Sequence, residues 1–172
     1  MLGAALRLNG QWQEAIELHE QALRTARERR TGLEGEALHL AYLAEAYLAG
    51  GDLPRARAAA EAGVVAGRRI GARVHEQEAQ RSFARVLLRQ EGVAAAAAVR
   101  AALDRAEALI RETGAKNCQP FVHLERAELA RLLRDEAAYQ RELREAHRLF
   151  LEMGATGHAE RLGQEISTLP TE

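Results

Sequence analysis

The stretch from Leu38 to Gly71, LHLAYLAEAYLAGGDLPRARAAAEAGVVAGRRIG, constrains the fold more than any other part of the chain. It predicts two helices running back to back across a turn at Gly50-Gly51-Asp52. Leu40, Leu43, Tyr47 and Leu48 recur at helical spacing and form one apolar stripe. Gly50 and Gly51 are expected to stop the first helix, because glycine accepts the left-handed conformation found at helix ends. Asp52 is placed to cap the second helix, and Pro54 falls in its first turn, where the missing N–H costs little. Ala56, Ala58, Ala59, Ala60 and Gly63 give that helix a face of small side chains, which lets two helices pack closely.

The same unit recurs imperfectly. Gly32, Gly71, Gly114 and Gly154 each follow a long predicted helix, at nearly regular intervals. The pair resembles a tetratricopeptide repeat, whose first helix carries a Leu-Gly…Tyr signature and whose second carries Ala…Phe…Ala. Leu43-Ala44, Tyr47, Gly51, Ala56, Ala60 and Gly63 occupy those slots. In the first copy the slots fall on Leu2-Gly3, Leu6, Gly10, Ala15, His19 and Ala22. Phe83-Ala84, Leu87, Val99, Leu103 and Ala106 fill them in the third. Tyr139, Leu143 and Ala146 fill the second helix of the fourth copy, whose first helix puts Arg126 where the family has leucine. The resemblance implies one all-α domain over 1–172, a right-handed solenoid of antiparallel helix pairs. The expected repeats are 1–32, 33–71, 72–114 and 115–154. A capping helix over 155–167 is expected to bury Ala159, Leu162 and Ile166. The standard period is about 34 residues and these glycines return roughly every 40, so the copies are stretched. Stretched repeats resemble the C-terminal regions of bacterial signalling ATPases, cyclase-associated proteins and transcriptional activators. The closing LFLEMGATGHAERLGQEI carries most of that likeness.

Charge narrows the choice of partner. Among 172 residues, 24 are basic and 25 acidic, and the formal net charge is −1. This argues against a nucleic-acid or anionic-membrane surface. Lys116 is the only lysine, which with the high alanine content suggests a GC-rich bacterial genome. Cys118 is the only cysteine, so no intramolecular disulfide is expected. No apolar run approaches the ~20 residues of a membrane span. Arg7 and Asn9-Gly10 interrupt the opening apolar segment, so no signal peptide and a cytoplasmic location are expected.

No phosphate-binding loop, dinucleotide fingerprint, HExxH or GxSxG occurs. His19, His39, His75, His123, His147 and His158 lack metal-ligand spacing, and His19 on an apolar face reads as a core residue. His75-Glu76 has no evident third partner, so the chain is read as non-catalytic and without cofactor or metal. One charged stripe stands out: Glu78, Arg81, Arg85 and Arg89 at helical spacing. In the family that face lines the partner groove. The implied groove residues are Glu45, Glu78, Arg81, Arg85, Arg89, Glu128 and Arg131. Two readings stay open. Either the stripe neutralises itself, beginning with Glu78 and Arg81, or Arg85 and Arg89 stay unpaired and receive carboxylates from an acidic protein or peptide. The leading function is a protein-interaction module within a larger bacterial signalling protein. The alternatives are a homodimer formed through an N-terminal edge at Leu2 and Leu6, and the regulatory arm of an ATPase or cyclase.

Overall fold

The computed structural model describes residues 11–169. Among them lie eight α-helices and no strand. They are α1 (Trp12–Arg29), α2 (Glu36–Ala49), α3 (Leu53–Ile70), α4 (Arg73–Glu91), α5 (Ala96–Thr113), α6 (Gln119–Leu132), α7 (Glu136–Glu152) and α8 (Thr156–Ser167). Each helix packs on the next, and α2, α4 and α6 also stack on one another. The result is a right-handed α-solenoid. The slots assigned to Leu2, Gly3, Leu6 and Gly10, and the expected N-terminal edge, lie outside the described residues.

The turns follow the sequence, with a correction at Gly50. Asp52 and Asp135 each accept a bond from a free backbone N–H, of Arg55 and Ala138, at 3.0 Å. The recurring glycines Gly32, Gly71, Gly114 and Gly154 have φ of 66°, 71°, 73° and 70°. Side-chain-bearing residues are strained there, which explains their regular return at helix ends. Gly50 does not share this role. Its φ is −78°, and Gly51 alone turns left-handed, at 79°. Gly50 is instead a docking point: a Cβ there would sit 2.7 Å from the ring of Trp12. After α4, which runs through Gln90 and Glu91, Gly92 opens a short 3-10 segment.

Small residues set the spacing. Ala15, Ala44, Ala56, Ala60 and Gly63 are buried, as the repeat register requires, whereas Ala22 is half-buried and Ala58 faces solvent. Gly67 marks a close crossing of α3 and α4, because a Cβ there would lie 2.9 Å from the Glu76 backbone. The three largest apolar clusters follow one another along the stack. Leu23, Leu40, Leu43, Tyr47 and Val86 join α1 to α4. Leu87, Leu103, Ile110, Val122 and Leu129 join α4, α5 and α6. Leu143, Phe150 and Leu162 hold α7 and α8. On α8, Ala159 and Leu162 are buried and Ile166 is half-buried, while Glu160, Arg161, Gln164 and Glu165 face solvent.

Candidate functional site

The groove residues separate into two groups. The first is a charged ladder across α2, α4 and α6. Arg85 donates to Glu45 on one side and to Glu125 on the other. Each carboxylate is 40 positions from Arg85 in sequence, so the three are the same position in successive repeats. Arg81 bonds Glu78 at 2.8 Å, lies 3.6 Å from Glu125 and stacks over Phe121 at 4.9 Å. Glu45, Arg81 and Glu125 are buried. Burial opposes the charge on Arg85, but the Glu45 and Glu125 carboxylates outweigh it and push the guanidinium pKa upward. Of the two open readings, Arg85 follows the self-neutralising one and is not unpaired. Its fork is spent on zipping three repeats together, and the pairing expected of Glu78 and Arg81 is present.

The second group lines a cleft of about 370 Å³ at the ends of α2, α4 and α6. Leu48, Leu53, Leu88 and Leu132 supply apolar surface, and Arg89, Glu128 and Arg131 supply charge. Glu128 and Arg131 bond each other through both oxygens, at 2.7 and 2.8 Å. Arg89 is exposed and has no ion pair or hydrogen bond among the described residues. Of the two arginines that the second reading leaves unpaired, only Arg89 is so among the described residues.

Two further charged clamps escaped the sequence reading. Glu36 at the start of α2 is buried between Arg27 of α1 and Arg69 of α3, at 2.7 and 2.6 Å. Glu76 at the start of α4 is held the same way by Arg68 of α3 and Arg105 of α5, at 3.7 and 3.0 Å. Their equivalent places in successive copies were the available signal. His75 points away from Glu76 and meets the Glu34 carbonyl oxygen at 2.6 Å. His19 is a core residue, 4% exposed. His123 lies 2.8 Å from Glu142, and that contact lowers the Glu142 carboxyl pKa. Burial raises the pKa of the Cys118 thiol, the direction opposite to an activated nucleophile. Among the described residues no group of three or more His, Cys, Asp or Glu side chains is placed to hold a metal. None of the described helices is long and apolar enough to cross a membrane.

Comparison with known structures decides the fold type. A kinesin light chain candidate from Podosopora anserina, with nearly identical TPR-like repeats, superposes with a TM-score of 0.58 at 19% identity. The alignment covers 96% of this chain and 90% of that one. A single-residue variant of the same protein gives 0.57 at the same identity and coverage. The chain has a TPR-like repeat fold. No protein-family model matches it, and no curated protein matches it in sequence. In a TPR-like stack the first helices of successive pairs form one continuous face, and here both charged groups lie on α2, α4 and α6.

Proposed function

We propose that this TPR-like domain is a non-catalytic protein-interaction module whose partner docks at the cleft beside Arg89. The observation that carries the reading is a free, exposed guanidinium next to Leu48, Leu88 and Leu132, on a face whose other arginines are committed. Arginine suits a carboxylate because its planar fork makes two parallel hydrogen bonds. The favoured partner is an acidic peptide segment with an aliphatic side chain beside the carboxylate. By the likeness of its closing segment, the domain serves as the binding arm of a larger bacterial signalling protein.

A displayed library of peptides with one carboxylate beside a leucine tests this. Arg89→Glu should weaken the selected peptides at least about tenfold, the cost of losing a charge-assisted bond of ~1.5–3 kcal/mol. Its melting temperature should not change. Binding should also weaken as salt rises, because the site is exposed. Peptides that bind Arg89→Glu as tightly as the parent chain would place the interface elsewhere.

A further inference from the structure

The fourth repeat carries a residue that partner binding at Arg89 does not use. Its first helix places Arg126 in the slot filled by Leu43 and Phe83 in the two copies before it. Leu43 is buried, and Phe83 packs against the apolar clusters. Arg126 instead lines a cleft of about 300 Å³ between α5, α6 and α7. The packing explains the opening. Among the described connections from a first to a second helix, only the one before α5 carries an added 3-10 segment, Gly92–Ala95. Beyond it, α6 packs on α4 and α5 less extensively than α4 packs on α2 and α3.

The lining is half apolar and half charged. Leu129, Ala130 and Leu133 of α6 supply the apolar wall. Arg100 of α5, Arg126 of α6 and Arg141 of α7 supply one guanidinium from each helix. These groups keep donors to spare. Arg100 is exposed and has no ion pair or hydrogen bond among the described residues. Arg126 bonds Asp104 and Glu107 at 2.8 Å, both through Nη2, so its Nε and Nη1 donors are not used by that pairing. Arg141 reaches only Glu142, its neighbour in sequence, at 3.4 Å. The carboxylates of the cleft are engaged: Asp104 by Arg126, Asp135 by the Ala138 N–H at 3.0 Å, and Glu142 by His123 at 2.8 Å. Acidic and basic residues balance in number, but the uncommitted groups are donors.

We propose that this cleft is a second binding site, for a small organic oxyanion: one carboxylate or phosphate group held by Arg100, Arg126 and Arg141, on an apolar body lying against Leu129 and Leu133. A planar guanidinium grips either group through paired hydrogen bonds. The volume falls at the small end of the ~300–1,000 Å³ range of ligand pockets, which selects a small molecule over a folded partner. Because the three arginines belong to three helices, an occupied cleft braces the joint between the third and fourth helix pairs. Arg89 lines the other cleft and not this one, so the two sites are separable.

Phenyl phosphate and benzoate, each a single oxyanion on one ring, serve as probes. Titrated into the isotope-labelled chain, at least one should give saturable amide shifts centred on Leu133, Ala138 and Arg141. The tighter of the two identifies the head group. Inorganic phosphate should bind at least about tenfold more weakly, because it buries no apolar surface. Arg100→Gln loses no contact within the fold, so its melting temperature should hold while affinity falls at least about tenfold, the loss of a charge-assisted bond. Arg126→Leu, which restores the residue usual in the slot, should abolish the shifts, and Arg89→Glu should leave them intact. No saturable shift with either probe, inorganic phosphate binding as tightly, equal affinity in Arg100→Gln or Arg126→Leu, or loss of the shifts in Arg89→Glu would each overturn the site.

Discussion

Arg85 bridges two carboxylates, Glu45 and Glu125, that belong to the repeats on either side of its own. Removing one partner of a buried ion network leaves an uncompensated charge, which costs more than the network contributes. Arg85→Ala should therefore destabilise the fold by ~3–5 kcal/mol in urea unfolding. Combining Glu45→Gln, Arg85→Met and Glu125→Gln should recover most of that loss, since neutral partners need no guanidinium. If the single and triple variants prove equally unstable, the ladder is not an electrostatic clamp. Gly67 is the opposite case, a residue whose value is its missing side chain. The methyl group of Gly67→Ala would meet Glu76 at 2.9 Å. Overpacking at such a crossing costs ~1–3 kcal/mol, and an unchanged melting temperature would mean that the helices separate freely.

Helix ends show how each element is punctuated. Asp52 caps α3 through the Arg55 N–H, and its side chain also pairs with the Arg55 guanidinium at 2.6 Å. Asp52→Ala should cost ~1 kcal/mol, as loss of an N-cap usually does, and Asp52→Asn should retain most of it. Equal losses in both would assign the effect to the ion pair instead of the cap. At the other end, Tyr139 of α7 donates to Glu165 of α8 at 2.7 Å. Burial and the Glu165 carboxylate push its phenol up to about 12. That folded value exceeds the ordinary 10.0, so the contact holds below about pH 10 and is lost as pH rises towards 12. Alkaline titration should loosen α8 in that window. Tyr139→Phe should remove this part of the pH dependence, read by exchange of the α8 amides.

At the scale of the whole molecule, stability is distributed along a line. Apolar clusters join neighbours, and no cluster reaches from α1 to α8. The charged contacts repeat at equivalent positions, and Glu45 and Glu125 each stand 40 positions from Arg85. Glu36 and Glu76 are clamped between second helices, while Arg85 links first helices. A linear stack coupled by such links unfolds as one unit only while the links hold. Arg85→Ala should therefore split the calorimetric transition into two, with α6 to α8 separating from α1 to α5. A single sharp transition in a folded Arg85→Ala would show that the apolar contacts of Val122 and Leu129 suffice for coupling.

The sequence by itself determined the helical architecture. Helical spacing of Leu40, Leu43 and Tyr47, the Asp52 cap and glycines at 32, 71, 114 and 154 are local signals, fixed by backbone geometry and near neighbours in the chain. The small residues at Ala15, Ala44, Ala56 and Gly63 were legible for the same reason, because one face of one helix carries them. Which charges would be free was not legible. Arg85 and Arg89 lie one turn apart on one helix face and look alike in sequence. Only stacking places Glu45 and Glu125 on either side of Arg85 and leaves Arg89 at the rim. The cleft beside Arg100 was hidden similarly, since its lining comes from three separate helices. An ion pair or a lined cleft depends on distances of a few ångströms between separate elements, and only the packed stack decides those distances.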